Sequence, residues 1–129
     1  MTVERHGSGA PWEPIIGYSR VVRAGSHVWV AGCTAITEDG AIVGAGDPYA
    51  QTRQALSNVE AALAKVGARL DDVVRTRMYV TDISQWEAVG RAHGEAFADV
   101  RPVTAMVQVG ALIDARMLVE VEADAYLGV

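Results

Sequence analysis

Two stretches of the sequence carry charged side chains at alternate positions. Arg75 and Arg77 alternate with other residues in VVRTRMYVT, and Glu120 and Glu122 do so in MLVEVEADAYL. Successive side chains of a β-strand point to opposite faces, so each pair would share one face. Carboxylates held in this way can act as general acids or bases, and arginines can bind an anionic ligand. The simpler interpretation of the arginines is that they pair with the glutamates across strands.

The other reactive side chains are one cysteine, Cys33, and three histidines, His6, His27 and His93. Cys33 would be a nucleophile only if a base such as His93 met it, and nothing in the sequence brings the two together. A small core residue is therefore the simpler interpretation of Cys33. The histidines lack metal-ligand spacing, and no C-x-x-C pattern occurs. We therefore expect neither a metal nor a cofactor.

Length and charge limit the classes of function. A chain of 129 residues is most simply one domain, covering residues 1–129. Its net charge of −5 argues against nucleic-acid binding, because phosphate contacts need a basic surface. The N-terminus has no apolar signal segment, and no apolar run is long enough to span a membrane. A single cysteine is compatible with a reducing compartment, so we expect a soluble cytoplasmic protein.

The hydrophobic periodicity predicts seven elements in the order β-β-α-β-α-β-β. The strands are predicted over 18–25, 27–35, 73–81, 103–109 and 117–127, and the helices over 49–66 and 85–100. Asp47 and Pro48 have the residue types that begin a helix, and Gly67 has the type that ends one. Each helix has one apolar face, and one face of a single sheet can receive both. The predicted fold class is therefore a two-layer α/β sandwich with one mixed sheet.

The stretch RPVTAMVQV determines what the uncovered face of this sheet would carry. Its odd positions are apolar, which predicts that Val103, Ala105 and Val107 face the core. The uncovered face would then collect a mixed set of polar, aromatic and sulfur-containing side chains: Arg75, Arg77, Tyr79, Thr104, Met106, Gln108, Glu120 and Glu122. Such a face is either exposed to solvent, with ion pairs between neighbouring strands, or buried in an interface between subunits. Alternation alone favours the solvated face.

The sequence resembles the Rid family, also called YjgF, over nearly its whole length. The matching stretches are GYSRVVRAGSHVWVAG, YAQTRQALSNVEAALAKVGARLDDVVRTRMYVTDISQWEAV, RPVTAMVQVGAL and LVEVEADA. The resemblance implies a chorismate-mutase-like fold and a homotrimer whose sheets face inward, with clefts between neighbouring subunits. It further implies hydrolysis of reactive enamines and imines in those clefts. Within that family an endoribonuclease activity has also been described, which the acidic composition here disfavours.

The resemblance also assigns residues to the cleft. It implies that Glu120 orients or activates the attacking water and that Tyr18 lines the site beside it. A family stretch that contacts substrate through its backbone corresponds to Ala31, Gly32 and Cys33, of which only the glycine matches.

Two family positions differ in this chain. The arginine that binds the substrate carboxylate in typical members corresponds to Thr104, and a pocket asparagine corresponds to Gly90. Met106 would shape the pocket, and Arg75 and Arg77 are the candidates for a substitute cation, although cross-strand pairing with Glu120 or Glu122 is the favoured interpretation of both. A deaminase of a small reactive metabolite is therefore the first hypothesis, and a trimeric protein that binds a metabolite without turnover is the alternative.

Overall fold

The computed structural model describes residues 2–128, which form one mixed six-stranded sheet with two helices. The elements are β1 (Val3–His6), β2 (Val21–Ala24), β3 (His27–Cys33), α1 (Pro48–Ala64), β4 (Val73–Val80), α2 (Trp86–Phe97), β5 (Val103–Gln108) and β6 (Val119–Tyr126). The strands lie in the order β1-β2-β3-β6-β4-β5. Neighbours are antiparallel except for β4 and β5, which are parallel and are joined through α2.

Helix α1 begins and ends where its local chemistry predicts. The Asp47 side chain accepts a hydrogen bond from the backbone N–H of Ala50 at 3.0 Å, and Pro48 occupies the first helical position. The last turn closes at Gly67, whose φ of 79° is readily available only to glycine. The predicted N-cap and C-terminal glycine are therefore confirmed.

Both helices pack on one face of the sheet and bury its side chains. The fully or nearly fully buried residues of that face include Val28, Val30, Met78, Val119 and Val121. Helix α2 contributes buried residues from its middle and its end. The apolar periodicity of this segment also predicts that Trp86 faces the core, but Trp86 is exposed because it is the first residue of the helix. Neither α1 nor α2 covers the opposite face of the sheet, here called the open face.

Two features of the strands differ from the prediction. The segment Val3–His6 forms an additional edge strand on β2, although four largely exposed residues give it no apolar periodicity. Alternation with Arg75 and Arg77 predicts that Val74 faces the helices. Val74 is instead exposed, because the register of β4 against β6 shifts between Val73 and Arg75. Such a bulge inserts one extra residue and reverses the direction of the side chain there.

The predicted orientation of β5 is wrong. Parallel pairing places Thr104 beside Thr76 and Met106 beside Met78, and both β4 residues are buried under the helices. Thr104, Met106 and, by alternation, Gln108 therefore face the helices rather than the open face.

The apolar residues of β5 consequently lie on the open face. Val103 is 58% exposed and Val107 is 47% exposed, and Ala105 between them is exposed as well. Alternation identified the two faces of the strand correctly but could not say which one is the core. Because β5 is an edge strand, its apolar side chains do not have to be buried within the same chain.

Candidate active site

Glu120 lies directly over Gly32 on the open face of the sheet. A β-carbon built on Gly32 would stand 2.2 Å from Oε2 of Glu120 and 2.7 Å from its Cδ, which is far inside van der Waals contact. Only glycine therefore lets the carboxylate occupy this position against β3. The register of β3 against β6 shifts between Val30 and Cys33, which places the glycine backbone beneath the carboxylate.

The environment of Glu120 favours its protonated form. Burial raises the pKa of this carboxyl group most strongly, and the neighbouring charge of Glu122 raises it further. The guanidinium of Arg20 acts in the opposite direction, and the net result is a raised pKa. A half-buried carboxyl group with a raised pKa is better able to exchange protons near neutral pH than an exposed one.

Arg20 is the central cation of this region, and the sequence analysis did not identify it. Its Nη1 donates to the carbonyl oxygens of Gly32 at 2.5 Å and Ala31 at 3.3 Å, and contacts Sγ of Cys33 at 3.5 Å. Its Nη2 donates to the hydroxyl of Tyr18 at 3.3 Å. One buried guanidinium thus holds the backbone and the tyrosine that the family resemblance assigned to the cleft. We call Tyr18, Arg20, Gly32 and Glu120 the Glu120 cluster.

Glu13 balances the charge of Arg20 from the far side. Its Oε2 lies 3.7 Å from Nε of Arg20, and the N–H and hydroxyl of Ser8 both donate to its carboxylate. Burial alone would raise the pKa of Glu13, but the Ser8 hydrogen bonds and the Arg20 charge together lower it. The carboxylate therefore stays ionised and fixes the guanidinium.

Replacing Arg20 with methionine is expected to destabilise the fold by about 3 kcal/mol, because it leaves the buried Glu13 carboxylate without its cation. Chemical denaturation at pH 7 measures the difference. The folded pKa of Glu13 is lowered, so its contribution is present above the unfolded pKa and is lost as the pH falls through the folded one. The difference between parent and variant should therefore shrink in acid. An unchanged difference down to pH 2 would contradict the pairing.

Cys33 does not have the environment of a nucleophile. The thiol is buried, and this burial raises its pKa despite the nearby Arg20. His93 does not contact it, since the Nε2 of that histidine instead hydrogen-bonds with the hydroxyl of Thr76. The interpretation of Cys33 as a core residue next to the site is the one the geometry supports.

The arginines of β4 pair across strands with the acidic residues of β6. Nη1 of Arg77 lies 3.6 Å from carboxylate oxygens of both Glu122 and Asp124, and Nε of Arg75 lies 4.0 Å from Asp124. Tyr79 donates a hydrogen bond to Glu122 at 2.5 Å, which raises the pKa of the tyrosine. Both arginines are thus held by Glu122 and Asp124 rather than by Glu120.

A second group of polar residues lies on the opposite, helix-covered side of the sheet. The hydroxyl of Thr76, fully buried, is 2.7 Å from the hydroxyl of Thr104 and 2.7 Å from Nε2 of His93. Burial lowers the pKa of His93, so its imidazole is neutral at pH 7. Gly90 lies one helical turn before His93, and a β-carbon there would meet nothing closer than Trp86 at 4.0 Å. We call Thr76, His93 and Thr104 the Thr104 group.

The sequence-predicted site residues therefore separate into two sets. The Glu120 cluster lies on the open face, as do Ala31 and Arg77, whereas Thr104, Met106 and Gly90 lie on the helix side. Cys33, paired with the buried Val121, packs in the core between them. A six-stranded sheet separates the two sets within one chain, so they cannot line one pocket without a second copy. No group of three or more potential ligands among residues 2–128 is placed to hold a metal ion. Within the same residues, no helix is both long and apolar enough to cross a membrane.

Comparison with known proteins places the chain in a family. Residues 9–127 match the family model described as Endoribonuclease L-PSP. An uncharacterized protein of Streptomyces coelicolor is 46% identical over 126 residues, which cover 98% of this chain and 93% of that protein. The 3-aminoacrylate deaminase RutC of Acinetobacter baylyi is 30% identical over 114 residues, covering 88% and 90% of the two chains.

A solved structure supports the same placement. The crystal structure of Rv2704 from Mycobacterium tuberculosis, described as a member of the highly conserved YjgF/YER057c/UK114 family, is 52% identical with a TM-score of 0.89. The match covers 97% of this chain and 99% of that one, which confirms the predicted fold class. The chain belongs to the Endoribonuclease L-PSP family, also called the YjgF or Rid family, as the sequence resemblance predicted.

Proposed function

We propose that this protein is a Rid-family hydrolase that deaminates a small enamine or imine in clefts between the subunits of a homotrimer. The observation that carries the proposal is the half-buried Glu120 carboxyl group held over the bare backbone of Gly32 with a raised pKa. A carboxyl group in this state can take a proton from water and return it to a leaving amine. The RutC relative is described as a 3-aminoacrylate deaminase, which is the same class of reaction.

The proposed reaction needs only water. Solvent protonates the enamine on carbon to give an iminium ion, and water then adds to the iminium carbon as the ionised Glu120 carboxylate accepts one of the water's protons. Glu120 returns that proton to the amine nitrogen, and the carbon–nitrogen bond breaks. Ammonia leaves as the carbonyl forms and the hydroxyl proton passes to solvent. Tyr18 and the backbone at Gly32, both held by Arg20, would orient the substrate over the carboxyl group.

The trimer is proposed because a site within one chain would be incomplete. The Glu120 cluster and the Thr104 group lie on opposite sides of the sheet, so a cleft lined by both requires a second chain. The open face also exposes apolar side chains of an edge strand, notably Val103 and Val107. Closed cyclic assembly would cover such side chains and the strand edge.

A direct test is ammonia release from freshly generated 2-iminocarboxylates, such as those formed by serine or threonine dehydration, beside the RutC relative. We expect release several-fold or more above the spontaneous rate. If no iminocarboxylate and no uncharged imine is accelerated, the hydrolase proposal fails. The alternative of a metabolite-binding trimer, favoured by neutral Thr104 at the family's arginine position, would then be pursued by ligand screening.

Gly32→Ala is expected to lower ammonia release by at least tenfold with little change in stability. The added β-carbon would overlap Oε2, Cδ and Cγ of Glu120, so the carboxyl group must leave its position. Because that group is the end of a flexible side chain, the fold can accommodate the change. Gly110→Ala, where a β-carbon meets nothing within 4 Å, is the matched control and should keep the parent rate. Full activity of the Gly32 variant would contradict the assigned position of Glu120.

A further inference from the structure

Arg101 has a backbone conformation that is unusual for its residue type. Its φ is 53°, and it is the one non-glycine residue with a positive φ among residues 2–128. It follows the end of α2, where its N–H donates to the carbonyl oxygen of Phe97 at 2.9 Å. Helices commonly end with a left-handed residue at this point, and glycine is the residue that adopts it without steric cost. An arginine retained in a conformation that suits glycine points to a role for its side chain.

The guanidinium of Arg101 borders a surface depression at the junction of α2 and β5. The depression has a volume of about 400 Å³ and is lined by His93, Gly94, Phe97, Ala98, Arg101 and Pro102. Nε of Arg101 donates to the carbonyl oxygen of Ala98 at 3.2 Å, which holds the side chain along this rim. Among the described residues no carboxylate forms an ion pair with it, in contrast to Arg75 and Arg77. Its charge is therefore available to a ligand.

His93 supplies a neutral polar group to the same depression. Its Nε2 is engaged by the buried hydroxyl of Thr76, and its ring packs against Phe97 with centroids 4.7 Å apart. These two contacts fix the plane of the imidazole. The other ring nitrogen, Nδ1, makes no hydrogen bond with residues 2–128 in this arrangement. A ligand in the depression would therefore meet one cation, an imidazole ring held in a fixed plane, and apolar side chains.

We propose that this depression binds a small monocarboxylate, with the guanidinium of Arg101 paired to the carboxylate and His93 hydrogen-bonded to the polar group beside it. One arginine and a neutral imidazole match one negative charge, and the planar guanidinium suits a carboxylate in bidentate geometry. The inference rests on the proposed function in one respect, since the carboxylate would be that of the imine substrate. Arg101 thereby takes the place of Arg75 and Arg77 as the cation expected to substitute for the arginine that binds the substrate carboxylate in typical family members.

Binding of stable product-like probes tests the assignment without turnover. Pyruvate, followed by NMR of the histidine imidazole signals, is expected to shift the His93 resonances and leave those of His6 and His27 in place. Pyruvamide, which has the same shape without the charge, should bind at least tenfold more weakly. Arg101→Gln should remove this preference, and Arg69→Gln, at an exposed arginine paired with Asp71, should retain it. Equal binding of the two probes by the parent protein would overturn the proposal.

Arg101→Gly separates a ligand-binding role from a structural one. Glycine adopts the observed φ without strain, so this variant should melt at a higher temperature than the parent while losing the preference for pyruvate. A variant that melts lower, or that keeps the preference, would overturn the proposal. Failure here is distinguishable from failure of the proposed function. If Arg101→Gln kept the preference for pyruvate over pyruvamide while Glu120→Gln lost ammonia release, the role of Arg101 in carboxylate binding would be rejected. The proposed hydrolase function would still stand.

Discussion

Glu120→Gln is expected to lower ammonia release by about 10² to 10⁴-fold, the range that positioned general acid–base groups contribute. Glutamine keeps the size of the side chain and its place over Gly32 but cannot accept the proton of the attacking water. The measurement is the initial rate of ammonia release from an enamine generated in situ, with the spontaneous rate subtracted. Glu60→Gln, at an exposed carboxylate on α1, is the matched control and should keep the parent rate.

The same substitution should stabilise the protein at neutral pH. The folded pKa of Glu120 is raised, so the ionised group opposes folding, and parent stability decreases as the pH rises from the unfolded pKa through the folded one. Glu120→Gln removes this cost, and denaturation midpoints of variant and parent should converge in acid. A variant that is unstable at pH 7, or one that keeps the parent rate of ammonia release, would contradict the assigned role of Glu120.

Val103→Asp combined with Val107→Asp is expected to convert the proposed trimer into monomers and to reduce activity to the spontaneous rate. Both side chains lie on the open face of an edge strand, so two carboxylates there would stay solvated within one chain but would be desolvated and repel each other between chains. Light scattering coupled to size-exclusion chromatography measures the mass. The helical content of the monomer, from circular dichroism, should match that of the parent.

Ala61→Asp is the control for this pair. It introduces a carboxylate at an exposed position of α1, on the helix side of the molecule and away from the open face. This variant should keep both the mass and the ammonia-release rate of the parent. A double valine variant that elutes with the parent mass would show that β5 does not lie in the subunit interface.

Local chemistry made part of this fold predictable. Asp47, Pro48 and Gly67 mark the ends of α1 through short-range hydrogen bonding and backbone preference, and these effects are encoded within a few residues. The face of β6 that carries Glu120 was also predictable, because its apolar residues alternate strictly and are all buried. Each of these features depends on residues that are close in the sequence or on apolar residues that alternate without interruption along a strand.

The features that the sequence analysis missed depend on contacts between distant segments. The parallel register of β5 with β4 determines which of its faces lies against the helices. The alternating sequence of an edge strand does not show which of its two faces is buried. Arg20 belongs to the site because a bulge in β3 brings two backbone carbonyl groups within hydrogen-bonding distance of its guanidinium. The sequence of β3 does not indicate that a bulge forms there. One signal was available: Arg20 precedes the buried Val21, which places it on the face that carries Glu120.

We propose that one active site is built from two chains, with the Glu120 cluster of one and the Thr104 group of its neighbour. Subunit mixing tests it most directly. Glu120→Gln and Thr104→Trp, whose ring would fill the cleft, should each be inactive alone as homotrimers. Refolded together in equal amounts, they should recover about a quarter of the parent rate, because random assembly restores about one cleft in four. Mixed trimers, verified by native mass spectrometry, that release no ammonia above the spontaneous rate would contradict the claim.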